Sequence, residues 1–315
     1  MSGLAIVVAL GLAAGPTEAG PTSEPRAEGE RPVGTIAFAS LAPRGWDLYR
    51  LDVANRREQR LTEHPALDYN AAFAPDGDRL AFVSLRDGEA EIYTIQADGS
   101  EPRRLTTQFA LDDRPAWAPD GRRLVFSSTR QPADRAGRAW NALYVMDADG
   151  SNVRRLSPRE AADYSPAWSP RGDLIACASG SGQAGQTDLV VLAPDGSGRR
   201  RVVADGGWPA FSADGQALFF HSKRDGRWGI WRVGLDGSEP ERITPPDIEA
   251  YTPCASADGR WLAAAVRRGE HRQIVRIDLD DRSLTDLTDE PTDHWNPTIA
   301  PDGRSVVYHK VAPNA

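Results

Sequence analysis

Short apolar runs alternate with polar turns along most of the chain, and the alternation itself recurs. The stretch "AFAPDGDRLAFVS" at residues 72–84 returns as "AWAPDGRRLVFSS" at 116–128. The turn glycines fall at Gly77, Gly121, Gly172, Gly215, Gly259 and Gly303, at intervals of 44, 51, 43, 44 and 44 residues. The long interval contains an insertion, "QPADRAGRAW", at 131–140. Each unit holds four short runs, A to D. Run A precedes the turn, as in Ala116-Trp117, and run B follows it, as in "RLAFVS", "ALFFHS" and "SVVYHK". Run C reads "IYTIQ", "LYVMD" or "IWRVG", and run D closes the unit with "RRLT", "RRLS" or "ERIT". Their β-branched and aromatic content, bounded by Asp, Gly, Pro and Ser, predicts strands. Proline fixes φ and lacks an N–H, and Asp-Gly tolerates positive φ, so "PDG" ends one strand and reverses the chain into the next. The turns are assigned to hairpin closure rather than to chemistry.

A four-stranded sheet with two apolar faces is unstable alone, and units in series bury those faces on one another. Radial stacking does so while protecting the edges, which predicts an all-β fold: a six-bladed β-propeller of four-stranded antiparallel blades over residues 33–310. Runs A, C and D number six, but B runs number seven, from "GTIAFAS" at Gly34 to "SVVYHK" at Ser305. The closing blade is expected to take B, C and D from "GTIAFAS", "WDLYRLD" and "EQRLT", and A from "PTIAP" near the C-terminus. Pairing of N- and C-terminal strands would thus close the ring and leave no open edge. The surplus strand, Arg304 to Lys310, is left to add to an edge, compete with residues 34–40, or begin a further blade.

Composition narrows the setting. The net charge of −8 disfavours a nucleic-acid partner. The apolar run Leu4–Ala14, followed by small residues, reads as a secretory signal peptide over 1–19, although no Lys or Arg precedes it. Residues 20–32 read as a polar leader and 311–315 as a tail. A periplasmic or secreted monomer without a transmembrane segment in the mature chain is expected. The two cysteines, Cys177 and Cys254, lie in strand runs and are expected to be buried free thiols.

The segments entering run A should meet at the central channel. Aligned on the following proline position, they read Asp68-Tyr69-Asn70, Asp112-Asp113-Arg114, Asp163-Tyr164-Ser165, Gly206-Gly207-Trp208, Ala250-Tyr251-Thr252 and His294-Trp295-Asn296. His294, Asp68, Asp112 and Asp163 would form an acidic arc over four consecutive blades. Tyr69, Asp113, Arg114, Tyr164, Trp208, Tyr251 and Trp295 would complete a binding mouth for a basic peptide segment or a cation. The competing reading is that the aspartates hold their own loops by local hydrogen bonds. The five histidines, His64, His221, His271, His294 and His309, show no H-x-H or HExxH spacing, so a metal site would depend on the fold to assemble it. No G-x-S-x-G is present, "SGSGQAG" at Ser179 reads as a B-to-C loop, and the arginines at 103–104, 154–155 and 199–201 read as outer-edge charges.

The recurrent "P-[AT]-[WF]-[AS]-P-D-G", followed by "L-[AV]-F-x-S", "IY", "DG" and "RRLT", resembles the TolB-like β-propeller family with its WD-like repeats. The resemblance covers residues 33–310. It implies a propeller whose channel region receives partner peptides; the same propeller also occurs in peptidase-like and oligogalacturonate lyase-like proteins. The family's preceding α/β domain has no counterpart in the roughly 13 residues between the expected cleavage site and the first strand, so the resemblance carries the propeller and not the Tol-Pal role. The expected function is a non-catalytic scaffold without a cofactor, apart from a channel-bound cation, binding a protein or peptide partner of the cell envelope. The alternative is a propeller lyase or hydrolase acting on a saccharide or peptide at the channel mouth, with or without a metal.

Overall fold

The computed structural model describes residues 45–130, 141–180 and 187–311. These form six four-stranded antiparallel sheets, and no helix occurs among the described residues. Blades 1 to 5 are continuous in sequence and begin at inner strands Asp68–Phe73, Asp112–Trp117, Ala162–Trp168, Gly207–Phe211 and Ala250–Ala255. Each turn forms as the residue types dictate. Gly77, at φ +77°, donates its N–H to the Ala74 carbonyl at 2.9 Å, and the same geometry recurs at Gly121, Gly172, Gly215, Gly259 and Gly303.

Blade 6 closes the ring and corrects one expectation. Its order runs from His294–Ile299 through Ser305–Val311 and Trp46–Asp52 to Glu58–Arg60. The strand without a slot in the sequence reading therefore holds the B position, pairing from Trp46↔Val311 to Asp52↔Ser305. The expected occupant, Gly34 to Ser40, lies outside the described residues, as do the leader segments, the 131–140 insertion and residues 181–186. Two ion pairs fasten the closure: Lys310 Nζ lies 2.7 Å from Glu58 and 2.5 Å from Glu290.

The core is a ring of six inter-blade layers. Phe73, Leu80 and Phe82 of blade 1 pack on Leu48 and Val307 of blade 6, and Leu124, Phe126 and Tyr144 of blade 2 on Val83 and Ile92 of blade 1. The remaining four clusters join the other neighbouring pairs in the same way. The "RLT" motif has a physical role in this packing. Its hydroxyl accepts the N–H of a C-strand residue, as Thr62 does from Leu48 at 3.0 Å and Thr106 from Ile92 at 2.9 Å, with Ser157, Thr244 and Thr288 repeating the bond. A backbone group left over by the short outer strand is thereby satisfied.

Candidate functional site

Every inner strand carries the same irregularity. Pairing with its B strand slips between Tyr69 and Ala72, Asp113 and Ala116, Tyr164 and Ala167, Gly207 and Ala210, Tyr251 and Cys254, and Trp295 and Thr298. Within each bulge one non-glycine residue has positive φ: Asn70, Arg114, Ser165, Trp208, Thr252 and Asn296, all between 49° and 55°. Asparagine tolerates this region, but a bulky Trp208 and a β-branched Thr252 do so at a cost of about 1–3 kcal/mol each. A proline follows in five of the six cases, which keeps the next residue out of the ladder.

The strained residues form the floor of a cavity of about 430 Å³ in the channel. Above them a wall of small side chains comes from Ala72, Ala116, Ala167, Ala210, Cys254 and Thr298. The rim is Pro75, Pro119, Pro170, Ala213, Ala257 and Pro301, all exposed. An exposed rim above a floor that is buried at Asn70, Ser165 and Thr252 and half-buried at Arg114, Trp208 and Asn296 shows that the cavity opens at the "PDG" turns. Those turns do more than close hairpins: their first residues make the mouth. Five exposed carboxylates, Asp76, Asp120, Asp214, Asp258 and Asp302, stand next to the rim, each accepting the N–H two residues on at 2.9–3.0 Å. Hydrogen bonds from the Ser212 and Ser256 hydroxyls hold Asp214 and Asp258 below the usual carboxylate range.

The floor is a directed chain of hydrogen bonds. Asn296 Nδ2 donates to Asn70 Oδ1, and Asn70 Nδ2 donates to Asp113 Oδ1 at 2.6 Å. Asp113 Oδ2 lies 3.3 Å from Arg114 Nε, and Arg114 Nη1 donates to Ser165 Oγ at 2.7 Å. The Arg114 guanidinium then lies over the Trp208 ring, 3.6 Å from its centre. Two floor atoms are buried without a hydrogen-bond partner: Asn296 Oδ1 and Thr252 Oγ1.

Of the expected mouth residues, Arg114 and Trp208 line this cavity and Asp113 supports its floor. The acidic arc is elsewhere. Asp68, Asp112, Asp163 and His294 are all 0% exposed. Asp68 is paired with Arg86 at 3.0 Å, Asp112 with Arg130 at 2.5 Å, and Asp163 with Arg199 at 2.8 Å. With no exposure and an arginine partner each, these carboxylates point into the protein and are neutralised there. Burial raises the Asp112 carboxyl even so, and it also lowers the His294 imidazole. Arg199, placed by sequence among outer-edge charges, is thus an interior partner.

The aromatic residues fill the opposite, loop end. Trp208, His221, Trp228, Tyr251 and Trp295 form a run of ring contacts with centroids 4.9–6.4 Å apart, and Trp46, Tyr69 and His309 form a second. Arg272, held by Asp293 at 3.2 Å, lies 4.2 Å from the Trp295 ring centre. Tyr164 packs against the blade 3–4 core. Burial keeps His221 and His309 neutral, pulling each down to about 3, with the Arg114 charge adding to the effect. No three His, Cys, Asp or Glu side chains converge in metal-binding geometry among the described residues. Cys177 is fully buried as expected, whereas Cys254 is partly exposed on the cavity wall. Asn70, Ser165, Thr252 and Asn296 are site residues that the sequence reading missed; the signal that marks the last three is their place directly before the recurring proline, and Asn70 holds the same position before Ala71.

No helix among the described residues is long and apolar enough to cross a membrane. The chain matches the family described as TolB beta propeller domain over residues 30–206 and 177–314. An uncharacterised protein of Agrobacterium fabrum is 30% identical over 115 residues, which is 36% of this chain and 38% of that protein's length. A structure from Agrobacterium tumefaciens assigned as TolB is 23% identical, covering 86% of this chain and 99% of that one with a TM-score of 0.71. TolB from Acinetobacter baumannii is 18% identical over 77% of this chain and 63% of its own, with a TM-score of 0.57. The oligogalacturonate lyase of Vibrio parahaemolyticus shares the fold at 13% identity, covering 86% and 98% of the two chains with a TM-score of 0.52.

Proposed function

The chain belongs to the TolB β-propeller domain family, and from that footing we propose that it is an exported, non-catalytic scaffold that captures a segment of a protein or peptide partner in the turn-end cavity of its channel. The observation that carries this reading is the wall: at the channel-facing position all six blades place Ala, Cys or Thr, so the space is kept open rather than filled. A concave, largely apolar site with a few convergent polar groups suits a ligand better than it suits stability. The segment enters with small or apolar side chains, and Lys or Arg on its flanks meet Asp76, Asp120, Asp214, Asp258 and Asp302 at the rim. A signal peptide over residues 1–19 and a polar leader over 20–32 would deliver the 33–310 propeller to the periplasm or the outside of the cell, as a monomer facing an envelope partner.

Panning of a phage-displayed random peptide library on the full chain tests the reading, with Ala210→Trp as the comparison because Ala210 faces the cavity and belongs to none of the inter-blade clusters. Enriched peptides should bind the wild-type chain in a salt-sensitive manner and lose at least tenfold in affinity for Ala210→Trp. Peptides that bind both proteins equally would overturn it.

A further inference from the structure

We propose that the cavity floor recognises a carboxamide, the side chain of an Asn or Gln on the inserted segment. The inference rests on the capture reading of the cavity and names the chemistry at its deepest point. Asp113 sets the polarity of the floor. Its carboxylate accepts hydrogen bonds and donates none, so Asn70 must turn Nδ2 toward it, and Asn70 Oδ1 then draws Nδ2 of Asn296. Asn296 Oδ1 is thereby fixed as an acceptor without a partner. On the neighbouring blade, Thr252 is 4% exposed, lines the same floor, and has a hydroxyl without a partner. Arg114 uses Nε on Asp113 and Nη1 on Ser165, and its Nη2 makes no hydrogen bond among the described residues.

The floor therefore offers an acceptor, a hydroxyl able to play either part, and a spare donor. An ammonium would meet the Arg114 charge, with the nearby Asp113 carboxylate already engaged by Arg114 and Asn70. A carboxylate would meet the Asn296 oxygen and the Asp113 charge. A neutral group with N–H₂ on one side and C=O on the other satisfies all three, because burying a charge without a dedicated partner is costlier than burying a matched neutral pair. Thr252 supports this independently. A threonine at φ +49° with an unsatisfied buried hydroxyl is doubly unfavourable for folding, the kind of local exception found at ligand sites.

Propionamide, propionate and propylammonium are close in size and differ in the group presented, so they serve as probes of the full chain labelled with ¹⁵N. Propionamide should shift the side-chain amide signals of Asn70 and Asn296 at millimolar concentration, and the two ions should leave them in place. Thr252→Val, which removes the hydroxyl and keeps the shape, should weaken the propionamide effect several-fold while the fold persists. Asp113→Asn, which frees the amide chain to reverse, should abolish the discrimination. Equal shifts with an ion, no shift with propionamide, or an undiminished effect in Thr252→Val would each overturn the proposal. Peptide capture and carboxamide recognition fail separately: peptides that ignore Ala210→Trp count against the first, and an inert propionamide against the second.

Discussion

At the turn end of the channel the inner strands present Ala72, Ala116, Ala167, Ala210, Cys254 and Thr298, and a cavity of about 430 Å³ remains between them. At the loop end the same strands present Tyr69, Tyr251 and Trp295, which pack with Trp46, Trp208, Trp228, His221, His309 and Arg272. Only Asn296 and Pro297 separate Trp295 from Thr298 on one strand, yet one end spends its side chains on one another and the other withholds them. Residue types that commonly mark a binding surface mark the packed end here. The space for a ligand lies where the side chains are least conspicuous.

The contrast can be broken most forcefully with acid. His221 and His309 are neutral in the fold, with pKa values near 3 against an ordinary 6.5, so each takes up a proton on unfolding. Stability present at neutral pH is lost as pH falls below about 6.5, and continues to be lost toward 3. For the two residues the loss between pH 6.5 and 5 should be about 3 kcal/mol, readable as a lower urea midpoint. Next comes Gly207→Ala. Its Cβ would lie 2.6 Å from His221 Nε2, in space that the other blades give to a tyrosine, tryptophan or aspartate and blade 4 gives to the imidazole. Overpacking there should cost about 2 kcal/mol in the same measurement. Thr252→Val at the open end should act in the opposite direction, raising stability by about 1 kcal/mol through removal of an unsatisfied buried hydroxyl. The smallest change in stability, within about 0.5 kcal/mol, should come from Ala210→Trp, despite its large added volume. A large loss there would mean that the cavity is part of the core and not a site.

The ring was legible in the sequence because its causes are local. Asp76 and Gly77 make the same turn wherever they recur, and the spacing of those turns leaves room for four strands. The site was less legible. Asp68, Asp112 and Asp163 looked like a mouth because neighbouring blades carry them in register, but their partners Arg86, Arg130 and Arg199 lie 18, 18 and 36 residues away, beyond the reach of a local motif. The reversal at Asn70, Arg114, Ser165, Trp208, Thr252 and Asn296 is set by a bulge, and a bulge exchanges which side chains face the channel. A column chosen for its matching carboxylates on consecutive blades carries no sign of that exchange. Closure by pairing of N- and C-terminal strands was legible too, but the occupant of its B position was not: two runs compete for one slot, and pairing across the termini leaves no mark in either.

That closure has a consequence for how the protein comes to be folded. Trp46–Asp52 and Glu58–Arg60 leave the ribosome before any other described strand, yet the partner of the first is Ser305–Val311, the last. Tyr308 meets Glu58 across 250 residues of intervening chain. Blades 1 to 5 can assemble as they are made, each against the one before, while the opening hairpin waits through the whole of synthesis without its central neighbour. Completion of the ring is then a single long-range event at the end, slow in the manner of distant strand pairings. In the exported role proposed above, a fold that withholds its last contact until its final strand arrives keeps premature locking to a minimum.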